Sequence, residues 1–224
     1  MGLLELNVEV EPETGLKETI ISRLKTKYGK ERKGLHVTDL MWPRQYVFRK
    51  LEKTCLSEKD VLFYALGSGE GEVLEEMVSE KCEVSIERYG IIFTPDAIIE
   101  LEDKIVPVEI KTTRQTRGEP IKPHYLLQLA SYCMALEVDM GILMIVQLNR
   151  TDNPLNVFKI RFKESELENL KKVLIERKVM VEKALKEGKP EIVSCVLDDP
   201  NFNWKCRNCQ WRTRCGEIEK TKVR

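Results

Sequence analysis

Between residues 84 and 162 the chain switches repeatedly between strand-like and helix-like apolar spacing, and that succession limits the folds open to it. Val84–Arg88 and Ile91–Glu100 are rich in β-branched residues and are separated by Gly90. Lys104–Lys111 alternates apolar and polar residues after the turn-forming pair Glu102-Asp103, so three strands are expected here. His124–Leu136 then carries Leu126, Leu127, Ala130, Cys133 and Met134 at helical spacing. Gly141–Leu148 is continuously apolar and predicts a buried strand, and Asn156–Phe162 alternates and predicts another. A long helix is expected over Glu166–Glu187: Ser165 and Glu168 form a capping box, Gly188 and Pro190 mark its end, and Leu167, Leu170, Leu174 and Val181 share one stripe. Upstream, Ile20, Ile21 and Leu24 predict a short helix ended by Gly29 and Gly34. Val37–Lys53 reads as helical with Pro43 near a helix start, and Glu72–Lys81 reads as a helix after the Gly-rich Leu66–Gly71. The result is an α/β layered domain.

The chain has 224 residues, enough for one domain with its own core. It carries 37 basic and 37 acidic residues, so nucleic acid cannot be held by bulk charge and any such binding must come from local patches. No secretion signal is read at its start, no apolar run is long enough to span a bilayer, and Met1-Gly2-Leu3 lacks the pattern for myristoylation. No membrane association and a reducing, cytoplasmic setting are expected, in which clustered cysteines bind metal more often than they pair.

The chemistry concentrates on two of the strands. Asp96 sits in Thr94-Pro95-Asp96-Ala97-Ile98, and Glu109 and Lys111 sit two apart in Pro107-Val108-Glu109-Ile110-Lys111. Residues two apart on a strand point to one face, so pairing of these strands as a hairpin lets Asp96, Glu109 and Lys111 converge. Two carboxylates, with a backbone carbonyl such as that of Ile110, can hold Mg²⁺ or Mn²⁺ through oxygen ligands. Such an ion offsets phosphate charge and acidifies water, and a lysine beside it orients the water or stabilises the charge of the transition state. Glu-x-Lys alone is common on solvated strands, and Asp96 in an apolar run upstream strengthens the functional reading.

The next helix adds Gln128 and Tyr132, four apart on one face. The order Asp, Glu-x-Lys, Gln-x-x-x-Tyr resembles the RecB-like PD-(D/E)xK nucleases, over roughly residues 36–216. That resemblance implies a restriction-endonuclease-like core, with a mixed central sheet flanked by helices, and a Gln/Tyr helix beside the metal site that helps position DNA. In that family a histidine ligand stands in a Gly-x-x-x-His context before the strands. Here Gly67-Ser68-Gly69-Glu70-Gly71-Glu72-Val73-Leu74-Glu75 matches the context, with Gly71 in the histidine's place and Glu72 or Glu75 as substitutes. His36 and His124 are the only histidines; neither is expected to bind the metal, and His124 reads as structural or as a DNA contact.

Cys206-x-x-Cys209-x₅-Cys215 is the second signal. Its neighbours Lys205, Arg207, Asn208, Gln210, Arg212 and Arg214 make a poor core sequence, which favours a metal centre over buried thiols. A fourth ligand is needed; Cys195 and Cys55 are the candidates, and the short reach from Cys195 to Cys206 favours Cys195. Cys82 and Cys133 read as core. A RecB-like nuclease ending this way resembles the iron–sulfur exonucleases, among them the fourth CRISPR-associated (Cas) protein family, the AddB-type recombination nucleases and stand-alone viral or mobile-element relatives. That resemblance implies a 4Fe–4S or 2Fe–2S cluster, with Zn²⁺ as the alternative. It also implies exonuclease action on single-stranded DNA ends, often 5′ to 3′, with CRISPR adaptation proteins or recombination factors as partners. The family's remote cysteine stands in a Cys-Pro-Arg context; here Trp42-Pro43-Arg44 has Trp42 in its place.

Three regions follow: an N-terminal extension over 1–35, the nuclease core over 36–190 and the cysteine-rich segment over 191–224. Arg44, Arg49, Lys50 and Lys53, and Arg114, Arg117 and Lys122, suit a DNA path. Tyr46, Trp204 and Trp211 are candidates for base stacking or for the core. The alternative to a nuclease is a nucleic-acid-binding iron–sulfur or zinc protein whose catalytic site has degraded.

Overall fold

The computed structural model of the chain describes residues 14–28, 32–52, 58, 61, 62, 65, 84–101, 103–114, 121–149, 154–194 and 209–222. It divides into two units: Met1–Arg32 with Cys55–Ser68, and Lys33–Thr54 with Gly69–Arg224. In the first, helix α1 (Thr14–Tyr28) buries Ile21, Val61 is also buried, and Lys17 pairs with Glu58 at 3.2 Å. The expected helix near Ile20 is therefore present, and longer than the expected short one.

The second unit holds the elements that matter for chemistry. Helices α2 (Val37–Met41) and α3 (Pro43–Glu52) are followed by strands β1 (Ile86–Arg88), β2 (Ile91–Phe93), β3 (Ala97–Leu101) and β4 (Lys104–Thr113). Then come α4 (Pro123–Leu136), β5 (Met140–Gln147), β6 (Leu155–Arg161), α5 (Glu164–Glu187) and, after a short 3₁₀ turn at Pro190–Ile192, α6 (Arg212–Lys222). The single helix expected over Val37–Lys53 is broken at Trp42, because Pro43 cannot donate the hydrogen bond that would continue it. The helix expected over Glu72–Lys81 lies outside the described residues.

Four strands form a mixed sheet in the order β3-β4-β5-β6, with β4 and β5 parallel and the outer pairs antiparallel. β1 and β2 form a separate hairpin. Its two-residue turn, Tyr89-Gly90, has both residues at positive φ, 58° and 66°, a turn whose twist suits a hairpin. The strand expected as one run over Ile91–Glu100 is thus two, interrupted at 94–96, and each half belongs to a different sheet.

Helix α4 is buried between the sheet and an outer layer. One side of it packs Tyr125, Leu129 and Cys133 on Leu143 and Ile145 of β5. Tyr132, Met134 and Ala135 of the same helix meet Val37, Leu40, Val47, Ile91, Phe93, Leu174, Val181 and Ala184 in a second core. Burying an aliphatic side chain in such a core stabilises by roughly 1.5–3 kcal/mol, so the apolar stripe of α5 accounts for its docking. Gly141 sets how closely α4 approaches: a Cβ there would stand 2.7 Å from Leu129 Cδ1 and 3.0 Å from Cys133 Sγ. Cys133 is core, as expected. Helix α5 begins two residues earlier than expected. Its first-turn brace is Glu166 Oε2 accepting from the Lys163 amide at 2.9 Å, not a Ser165/Glu168 box.

Candidate active site

The β3–β4 hairpin brings two of the expected residues opposite each other. Its register pairs Ala97 with Val108, so Asp96 comes one step beyond, opposite Glu109. Asp96 is not inside a strand, as its apolar neighbours suggested, but in the bend between β2 and β3. That interruption lets its carboxylate turn back onto β4: Asp96 Oδ2 accepts a hydrogen bond from the Ile110 amide at 2.6 Å. The Ile110 side chain faces the other way, into the core of Ala97, Val106, Val108 and Ile142 on the far face of the sheet.

Alternation along β4 sends Glu109 and Lys111 to the face covered by α4. Helix α4 returns over that face and carries Tyr125, Gln128 and Tyr132, which recur at three and four residues and share one side. Gln128 Nε2 donates to Tyr132 Oη at 2.7 Å. Lys111 forms an ion pair with Glu109, and its ammonium also lies 5.9 Å from the Tyr125 ring centroid. The structure therefore brings together Asp96, Glu109, Lys111, Gln128 and Tyr132, all drawn from 37 consecutive residues.

The electrostatics of this cluster are unusual for a carboxylate. Glu109 is 0 % exposed, and burial pushes its pKa up to about 8; Lys111 opposes that rise and Asp96 adds to it. Burial pulls the Lys111 ammonium down, but Glu109 and Asp96 more than offset it, so it stays protonated above its usual range. The Tyr132 phenol is held well above its ordinary value by burial and by the two carboxylates, and remains neutral. Neither Glu109 oxygen accepts a hydrogen bond of regular geometry. The ion pair with Lys111 offsets only part of the cost of burying this carboxylate. A second carboxylate beside it fits a divalent cation, for which carboxylate oxygens are the preferred hard ligands.

Other expected ligands fall elsewhere. Gly71, Glu72 and Glu75 lie outside the described residues. His36 precedes α2, where its amide donates to Asp39 Oδ2 at 3.0 Å and its Nε2 lies 3.2 Å from the Lys33 carbonyl oxygen. His124 packs edge-on against Tyr125, with ring centroids 4.4 Å apart. Among the described residues no group of three or more His, Cys, Asp and Glu could hold a metal ion.

Of the cysteine set, Cys195 and Cys206, and the alternative Cys55, lie outside the described residues. Cys209 precedes α6 and Cys215 is buried on it. This helix docks on α3. Trp211 stacks on Phe48 with centroids 5.8 Å apart, its indole N–H donates to Glu52 Oε2 at 2.8 Å, and Arg214 pairs with Glu52. Phe48 and Glu52 are four apart on α3 and form the receiving face. Trp211 and Tyr46 are buried, which makes them core rather than stacking platforms.

Two further corrections concern the basic residues. Arg44 is 2 % exposed and gives Nε and Nη2 to the Val193 carbonyl at 3.0 and 2.8 Å, so it ties the chain after α5 to α3 and cannot reach a phosphate. Arg49 is engaged by Asp39 at 2.8 Å. The residue that sequence reading missed is Tyr125, whose ring faces both Lys111 and Lys122. Its spacing of three from Gln128 and seven from Tyr132 was the available signal.

Comparison with known proteins agrees with this geometry. The sequence profile described as the PD-(D/E)XK nuclease superfamily matches residues 16–216. No curated protein matches the chain. Among solved structures, the crystal structure of SSO0001 aligns with a TM-score of 0.60 at 23% identity, covering 89% of this chain and 95% of that one, which is a likeness of fold.

Proposed function

The chain belongs to the PD-(D/E)XK nuclease superfamily, whose members act on nucleic acid with divalent metals such as Mg²⁺ or Mn²⁺, and we propose that Asp96, Glu109 and Lys111 form its hydrolytic site. The observation that carries this reading is the fully buried Glu109, whose two oxygens lack regular hydrogen bonds, beside Asp96 and Lys111. Asp96, Glu109 and the Ile110 carbonyl would hold the cation, which would supply positive charge against the phosphate and the developing transition state. Lys111 stands on the same strand face as Glu109, where its ammonium can stabilise charge building on the phosphoryl oxygens. Gln128 and Tyr132, joined by their hydrogen bond, fix one wall of the site and orient the strand that enters it.

The substrate under this reading is DNA with single-stranded ends, degraded as by an exonuclease, 5′ to 3′, in CRISPR adaptation or recombination. Cys195, Cys206, Cys209 and Cys215 would hold an iron–sulfur cluster, 4Fe–4S ahead of 2Fe–2S, or Zn²⁺. Support comes from the motif and from the docking of Trp211, Arg214 and Cys215 on α3, which buries Cys215. The second reading, a nucleic-acid-binding protein with a degraded site, rests on Gly71 in place of a histidine.

Cleavage of end-labelled single-stranded DNA with Mg²⁺ or Mn²⁺ separates the two. Wild type should cleave only with metal, and Glu109→Ala and Lys111→Ala should each lose on the order of a hundredfold or more. Equal cleavage by all three proteins would overturn the assignment. No metal-dependent cleavage by wild type would favour the second reading. Labels at the 5′ and 3′ ends give the polarity in the same experiment.

A further inference from the structure

The site has a second cation beside it that the hydrolytic set does not use. Lys122 is the residue just before α4, and its ammonium lies 5.7 Å from the centroid of the Tyr125 ring. The same ring has the Lys111 ammonium at 5.9 Å. Among the described residues Lys122 forms no ion pair. A cation over an aromatic ring is held in place without being neutralised, since the ring offers a quadrupole and no charge.

Tyr125 is itself rigid. It is buried, packed on Leu129, Leu143 and Ile145, and braced edge-on by His124. One fixed ring therefore lies against two ammonium groups, that of Lys111, paired with Glu109, and that of Lys122. Because both lie against one ring, at 5.9 and 5.7 Å from its centroid, the two charges stand close enough to meet neighbouring phosphates of one strand.

We propose that Lys122 is a substrate-positioning residue that binds a backbone phosphate neighbouring the one attacked at the Asp96–Glu109–Lys111 site. The assignment rests on the nuclease reading above. Lys122 would make no contact with the reacting atoms. Its task would be to fix the strand in register, so that the scissile phosphate meets Lys111 while the next phosphate rests on Lys122. A phosphate contact carries no base information, so the effect should be equal for all sequences.

The test uses the full chain and an oligothymidine strand, with Lys122→Gln compared with wild type and with Lys172→Gln, a change of an exposed lysine on α5. Steady-state cleavage should give Lys122→Gln a KM about fivefold to tenfold higher, the range for one charge-assisted contact, with kcat within about twofold. Equilibrium binding across a salt series should give a log–log slope shallower by about 0.7, the value for one phosphate on a single strand. Lys172→Gln should follow wild type in both. A wild-type-like KM and slope for Lys122→Gln, in a wild type that cleaves, would overturn the proposal and leave the nuclease reading intact. An equal loss in Lys172→Gln would also overturn it, since the effect would then be one of general charge. If wild type does not cleave, the nuclease reading fails, and the salt slope alone decides whether Lys122 meets a phosphate.

Discussion

Helix α4 over the sheet and helix α6 against α3 both carry motif residues, yet they are held in opposite ways. In the first region the motif residues are the structure: Glu109 and Lys111 are consecutive same-face positions of β4, and Gln128 and Tyr132 are consecutive turns of α4. Removing their chemistry removes part of the packing between helix and strand. In the second, most of the docking falls to residues outside the cysteine motif, Phe48 and Glu52 on α3 and Trp211 and Arg214 on or beside α6, with Cys215 packed among them. The contrast teaches that regular elements can assemble a site from their own periodicity, whereas the helix that carries Cys215 is held by an aromatic stack and an ion pair that belong to no site motif.

Two changes on the α3–α6 side sharpen this comparison. Phe48→Ala removes a fully buried ring stacked on Trp211, and should destabilise by about 3–5 kcal/mol, as for other large aromatic truncations. Urea unfolding reads the loss, and iron and zinc per chain should fall with it, as they should in Cys195→Ala but not in Cys55→Ala. If Phe48→Ala keeps its metal and its stability, the anchor is not the aromatic stack. The smaller effect belongs to Glu52→Gln. It retains an acceptor for the Trp211 indole and loses only the charge facing Arg214, which is 56% exposed. A loss of about 1 kcal/mol or less is expected for so solvated a pair. A larger drop in the same unfolding experiment would mean that the ion pair, not the ring, fixes α6.

The same contrast explains what could be read in the sequence. Strand and helix periods gave the order β4, α4, β5, β6, α5 and the shared faces of Glu109 with Lys111 and of Gln128 with Tyr132, because those faces follow from spacings of two and four. The bend at Thr94–Asp96 was missed because Ile91, Ile92, Phe93, Ala97, Ile98 and Ile99 on either side are apolar, although Pro95, which cannot donate to a ladder, marks the break. The burial of Arg44 was equally hidden, since its partner is a carbonyl 149 residues away. Glu109 was legible as a metal-binding strand carboxylate, but not its full burial, which needs α4 to lie close over the sheet, as Gly141 allows.

Direct binding of Mn²⁺ tests the central claim without relying on any chosen DNA substrate. The hydrolytic assignment requires that Asp96 and Glu109 hold a divalent ion in the folded protein. Wild type should bind Mn²⁺ at this site, as followed by the loss of the free-ion paramagnetic signal, and should melt at a higher temperature in its presence. Glu109→Ala and Asp96→Ala, shown to be folded by their circular dichroism, should lose that binding and that shift. Undiminished Mn²⁺ binding in both folded variants would contradict the account, because the metal would then sit away from the residues assigned to it.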